Sequence, residues 1–234
     1  MKAAKPLRSD AAENRERVLA AAVTAVLREG QNVPLATIAA EANVGVGTLY
    51  RRYPNREALL VALEIRAYGI VLESLTDILA RDETGYRQIE RFLERTILTR
   101  SQLVLPFHGA PDTDNPEAVE LRAEVESLVA AIVERGHDDG TVRYRETVHG
   151  GAIVRGTATV RDGATEPGVT ARDVIVFGAM IAQPLPHVPE WNDVARAQVQ
   201  VFLRGIAGPS ARAGANTSTT APSTHTATTT ASLT

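Results

Sequence analysis

The chain has 234 residues, none of them cysteine and one of them tryptophan. Without cysteine there is no disulfide scaffold, no Cys-ligated zinc, no iron–sulfur cluster and no thiol chemistry. Long apolar runs are also missing. The longest, 174–182, is about half of the roughly 20 residues that a bilayer-spanning helix needs. Residues 1–15 are polar with no apolar centre, so a cleaved secretory signal is not expected, and the cytoplasm is the expected compartment. His108, His137, His149, His187 and His225 show no HExxH spacing, and Gly45-Val-Gly47 is not a GxGxxG loop behind a strand. No serine or threonine has a paired histidine in a recognisable motif, and the carboxylates between Asp112 and Glu126 read as a solvated helix face. The expectation is therefore no catalytic set, no metal, no cofactor and no enzyme.

What is present is an ordinary globular composition, 44% hydrophobic and 23% charged, with ample length to bury a core. The net charge of −3 hides an asymmetry: residues 1–66 hold 10 Lys+Arg against 7 Asp+Glu, and the remainder holds 15 against 21. A basic head on an acidic body suits phosphate at one end; chance scatter of solvated charges is the competing account.

Helical periodicity dominates. Val18, Ala22 and Val26, with Leu19, Val23 and Leu27, form one apolar stripe over 10–29, with Ser9 or Asp10 as cap and Gly30 as stop. Two short helical segments follow, 35–42 and 46–53, separated by a break at Asn43-Val44-Gly45. Pro54-Asn55 then opens a long helix from Arg56 to about residue 80. Further helices are expected over 86–105, 117–135, 170–181 and 192–206, the first ended by Pro106 and the third started by a Thr170…Asp173 capping pattern. Residues 141–169 are rich in β-branched residues around Gly150-Gly151, which fits either a β-hairpin or an irregular insertion. From residue 208 the chain is Thr, Ser and Ala with one charge, and is expected to be disordered.

The segment from Leu35 to Leu60 carries the chemistry. With Ile38, Ala39, Val44, Leu49 and Tyr53 turned to a core, the second short helix presents Val46, Gly47, Thr48, Tyr50, Arg51 and Arg52 on its other side. Threonine suits base edges and thymine methyls, arginine suits guanine or phosphate, and a tyrosine hydroxyl suits phosphate. Gly47 lets the backbone approach DNA closely. Asn55 and Arg56 bring free N–H groups and charge to a helix start, aimed at phosphate. A plain solvated face would explain a generic basic helix, but not the tight turn, paired glycines and basic following helix together.

The run Val44-Gly-Val-Gly-Thr-Leu-Tyr-Arg-Arg-Tyr-Pro-Asn-Arg-Glu-Ala-Leu-Leu60, preceded by Leu27-Arg-Glu-Gly30, closely resembles the DNA-binding domain of the TetR/AcrR family of bacterial transcriptional repressors. The resemblance covers roughly residues 10–65. It implies an all-α protein: a three-helix helix–turn–helix domain at 1–55, a helical ligand-binding and dimerisation domain at 56–207, and the tail at 208–234. It also implies a regulator that binds double-stranded operator DNA as a homodimer and leaves it when a small effector binds. The DNA-contacting set is then Thr37, Gly45, Val46, Gly47, Thr48, Tyr50, Arg51, Arg52, Asn55 and Arg56. The family often has His and Phe where this chain has Arg52 and Tyr53. Arg52 is expected to strengthen phosphate binding, and Tyr53 to keep the core role with its hydroxyl at the edge. Pocket candidates are Phe92, Leu103, Phe107, His108, Met180 and Trp191, for which plain core packing competes. Val174, Phe177, Ile181, Val201 and Phe202 are the dimer-interface candidates. A helical enzyme or a protein-interaction module remains the alternative reading.

Overall fold

The computed structural model describes residues 7–30, 32–103, 114–143, 147–149, 152–154, 168–185 and 187–216. Among them the chain runs α1 (Leu7–Glu29), α2 (Leu35–Glu41), α3 (Val46–Arg52), α4 (Arg56–Leu79), α5 (Gly85–Thr99) and a 3-10 turn (Arg100–Gln102). Then come α6 (Pro116–Asp138), β1 (Thr147–His149), β2 (Ala152–Val154), α7 (Ala171–Ala182), α8 (Trp191–Ile206) and α9 (Pro209–Asn216).

The local chemistry of the starts and stops is visible. Gly30 ends α1 in the left-handed region (φ 84°) while its N–H reaches the Val26 carbonyl at 2.8 Å. Asn55 caps α4, accepting from the Ala58 N–H at 2.8 Å, and Asn115 caps α6 ahead of Pro116. Thr170 and Asp173 form the reciprocal capping box expected for α7. Gln88, fully buried, donates its side-chain amide to the Ile78 and Arg81 carbonyls, tying α5 to the end of α4 and the turn that follows it.

Two cores form. The head core joins α1, α2, α3 and the first two turns of α4 through Leu19, Val23, Ile38, Leu49, Leu59 and Leu63. The body core begins at Tyr68 and gathers the rest of α4 with α5, α6, α7 and α8, including Leu75, Leu93, Ile132 and Leu203. The change from one core to the other falls inside α4, between Leu63 and Tyr68. A continuous helix shares its apolar stripe between two packing partners, so the change of partner leaves no break in the sequence pattern.

Several expectations need correction. Helix α1 begins at Leu7 rather than near Asp10, and Leu27 is exposed, outside the stripe assigned to it. Helix α5 stops at Thr99, well before Pro106, and passes into the 3-10 turn. Of the two readings of 141–169, the hairpin is the one adopted at its centre: β1 and β2 pair antiparallel, with Thr147 opposite Val154 and His149 opposite Ala152. The tail is not disordered from its first residue, since Pro209–Asn216 are helical. That helix is anchored where the Gly208 N–H meets the Thr141 carbonyl at 2.7 Å and Val142 bridges to Ala207. Residues 217–234 lie outside the described residues.

Candidate nucleic-acid interface and body cavity

The turn between α2 and α3 is made by Asn43, which takes φ 53°, a conformation that asparagine tolerates better than most residues. The Val44 N–H then reaches back to the Ala39 carbonyl at 2.9 Å, and the Gly45 carbonyl accepts from Thr48 at 2.8 Å to start α3. Leu49 and Tyr53, both buried, pin the inner side of this seven-residue helix to the head core.

The other side is open. Gly45, Val46, Gly47, Thr48, Tyr50, Arg51 and Arg52 are all exposed, and a Cβ added at Gly47 would meet nothing within 4 Å. Val46 and Tyr50 stand 43% and 48% exposed although apolar atoms dominate both. Arg51 donates to the Thr48 hydroxyl at 3.3 Å, one turn back, which holds the two polar groups side by side. Asn55 is exposed, and Thr37 and Arg56 are half-buried. Arg56 donates to the Asn32 carbonyl at 3.1 Å, so it fastens α4 to the α1–α2 connection as well as carrying charge at a helix start. Tyr53 departs from expectation: its hydroxyl lies fully buried without a hydrogen-bond partner rather than at the edge.

Sequence reasoning missed the brace behind this unit. Arg28 at the end of α1 is paired with Glu41 on α2 and with Glu29, and the Glu41 carboxylate first, then Glu29, raises the guanidinium above its ordinary value. Nothing in the local pattern announces a pair between residues on different helices.

The body holds a small apolar cavity of about 70 Å3, partly open to solvent. Tyr68 and Val71 from α4, Phe92 and Thr96 from α5, Leu103 after the 3-10 turn, Arg122, Val125 and Glu126 from α6, and Ile175, Gly178 and Ala179 from α7 line it. Of the residues expected at a pocket, Phe92 and Leu103 are in this lining. Met180 is not: it points outward, 66% exposed, because it lies one position around α7 from Ala179. Trp191 is also absent from the lining; its indole N–H donates to the Ile181 carbonyl at 2.8 Å and ties the start of α8 to the end of α7. Phe107 and His108 lie outside the described residues.

The interface candidates divide similarly. Val174 and Ile181 are buried in the body core. Phe177 and Phe202 stack with ring centroids 4.2 Å apart, joining α7 to α8. Val201 is exposed, as are Val176 and Met180, which the sequence reading left out of the interface. No group of three or more His, Cys, Asp or Glu among the described residues could hold a metal ion, and no helix of the described residues is long and apolar enough to cross a membrane.

Comparison with known proteins agrees with this geometry. Residues 18–63 match the sequence model for bacterial regulatory proteins of the tetR family. No curated protein matches the chain. Among solved structures, the TetR transcription regulatory protein from Mycobacterium vanbaalenii is similar over 86% of this chain and 99% of its own, at 23% identity and TM-score 0.56. AibR, solved with isovaleryl coenzyme A and operator DNA, matches over 83% and 98% respectively, at 13% identity and TM-score 0.60. FadR from Bacillus subtilis, solved with stearoyl-CoA, matches over 82% and 99% at 15% identity and TM-score 0.54.

Proposed function

The chain belongs to the tetR family of bacterial regulatory proteins through its N-terminal domain, and on that premise we propose that it is a homodimeric, sequence-specific repressor released from operator DNA by a small-molecule effector. One observation carries the DNA reading: α3 is buried only at Leu49, while Val46, Gly47, Thr48, Tyr50, Arg51 and Arg52 face outward together. A helix seated on its core by one side and presenting threonine, tyrosine and arginine on the other has the make-up to read a major groove.

In this reading Thr48 and Val46 meet base edges and thymine methyls. Tyr50, Arg51 and Arg52 take phosphate or guanine, and Asn55, Arg56 and Thr37 hold the flanking backbone. Two such helices about 34 Å apart in a dimer occupy successive major grooves of a palindrome. The exposed Val176, Met180 and Val201 beside the Phe177–Phe202 stack offer an apolar face of α7 and α8 for the second copy. A protein of this fold has been seen with an acyl-coenzyme A and operator DNA together, which supports a body cavity that receives the effector here. The effector works by binding the DNA-incompetent arrangement better and shifting the population toward it.

The test is a binding titration against duplex DNA upstream of the chain's own coding region, with protection mapping. A palindromic footprint and a steep fall of affinity with salt are expected. Absence of salt-dependent binding to any duplex would remove the reading and leave the enzyme or interaction-module alternatives.

A further inference from the structure

Arg66 joins the two halves of the molecule. It lies on α4 between Leu63, the last residue of the head core, and Tyr68, the first of the body core. Its Nε donates to Glu16 Oε1 on α1 at 2.8 Å, and its Nη2 donates to the same oxygen. Its Nη1 turns the other way and donates to the Gln102 carbonyl at 3.1 Å. The next residue, Leu103, is buried and forms part of the cavity wall, as does Tyr68. Helix α1 also packs directly on the 3-10 turn that Gln102 closes.

An ion pair with a partner as exposed as Glu16 adds little to global stability. Its value is geometric. A guanidinium is a rigid planar fork, so the Glu16 carboxylate and the Gln102 peptide group are held in fixed relation by one side chain. The cavity supplies the other half of the argument. Apart from Thr96, Arg122 and Glu126 its lining is aliphatic or aromatic, which suits a largely uncharged ligand.

Resting on the effector reading above, we propose that Arg66 is the positioning residue that transmits occupancy of this cavity to the DNA-binding head, and that the ligand is a predominantly apolar small molecule. A ligand that spreads the wall moves Leu103, and with it the Gln102 carbonyl, away from Arg66. The fork then releases or drags Glu16. Helix α1 follows, and α2 and α3 move with α1 because Leu19 and Val23 share a core with Ile38 and Leu49.

The experiment uses the full chain, a duplex selected from a random pool by the wild type, and the neutral fluorophore N-phenyl-1-naphthylamine as apolar probe. The readout is the factor by which saturating probe weakens DNA binding. For the wild type at least about fivefold is expected. Arg66→Gln and Glu16→Ala are each expected to bind probe as the wild type does while the factor falls below about twofold. Glu16 is exposed, so the second variant reads the same coupling should the first fail to fold. Ala179→Leu, which fills the cavity, is expected to lose the probe. A wild-type factor in either clasp variant overturns the role of Arg66 and leaves the effector reading standing. A wild type that ignores the probe, binds it without effect on DNA, or is matched in probe binding by Ala179→Leu overturns both.

Discussion

Gly85 and Gly136 meet where the start of α5 abuts the last turn of α6, and a Cβ added to Gly85 would lie 2.1 Å from the Gly136 nitrogen. The contact is backbone against backbone, so no rotamer change relieves it. Around it Asp139 accepts from the Gly85 N–H at 2.9 Å and from the Thr141 N–H at 2.9 Å, while the Thr141 hydroxyl accepts from the Tyr86 N–H at 3.2 Å. The end of α6 thus caps the start of α5, and the two glycines let them come close enough to do so. Gly85→Ala is expected to cost about 3 kcal/mol by forcing the helices apart, measured by urea unfolding. Gly69 is the control: it is exposed in the middle of α4 with nothing near its missing Cβ, so Gly69→Ala is expected to stabilise by about 0.5–1 kcal/mol. Equal effects of the two changes would refute the close-approach account.

Much of the head was legible in the sequence because its signals are local. Ser/Asn/Pro/Gly punctuation and helical periodicity act within a few residues, so α2, the break at Asn43, α3 and the Asn55 cap could be placed from the chain alone. The body was less legible because its features are made by side chains far apart in sequence. The cavity assembles Tyr68, Thr96, Val125, Ile175 and Gly178, types indistinguishable from core until helices are packed. Met180 and Ala179 are neighbours in a run apolar all round, and only the rotation of α7 decides which one faces inward. The same holds for Val174 and Val176: one is buried in the body core and the other faces out.

On the proposed DNA reading, Thr48 and Arg56 should separate specificity from affinity. Thr48 is exposed on α3 with its hydroxyl beside Arg51. Thr48→Ala is expected to relax discrimination at one or two base pairs by about 1–3 kcal/mol each, read by binding to single-mismatch operators. Arg56→Ala is expected to weaken binding across all sequences and reduce the salt slope by about one. Because Arg56 also holds the Asn32 carbonyl, a modest loss of head stability should accompany it. Unchanged operator affinity of Arg56→Ala across a salt titration would contradict its phosphate role.

Tyr53 carries a cost that the head does not use. Its ring is core and its hydroxyl is buried with no partner, which forfeits hydration without a compensating bond. Tyr53→Phe is expected to raise stability by about 1 kcal/mol and to leave DNA affinity as it was. Thermal unfolding of the two proteins in the presence and absence of operator would show this. A destabilised Phe variant would mean that the hydroxyl is solvated after all.

His137 gives the body a dependence on pH whose sign follows from its surroundings. Burial near the end of α6 pushes its imidazole below the ordinary value of 6.5, against the opposing pull of Asp138 and Glu134. The unfolded chain therefore takes up this proton more readily than the folded one. The contribution to stability is full above 6.5 and is lost progressively as pH falls toward the depressed folded value. Unfolding free energy, followed by urea titration from about pH 7.5 down to about pH 5.5, is expected to fall, since histidine titrates across this window. His137→Gln, which cannot take up the proton, is expected to fall less steeply over the same interval. Carboxylates whose folded values are lowered, such as Glu83 beside Arg91, lose their contribution at lower pH and are common to both proteins. The difference between the two slopes therefore isolates the imidazole, and parallel slopes would show that His137 is protonated as easily in the folded body as in the unfolded chain.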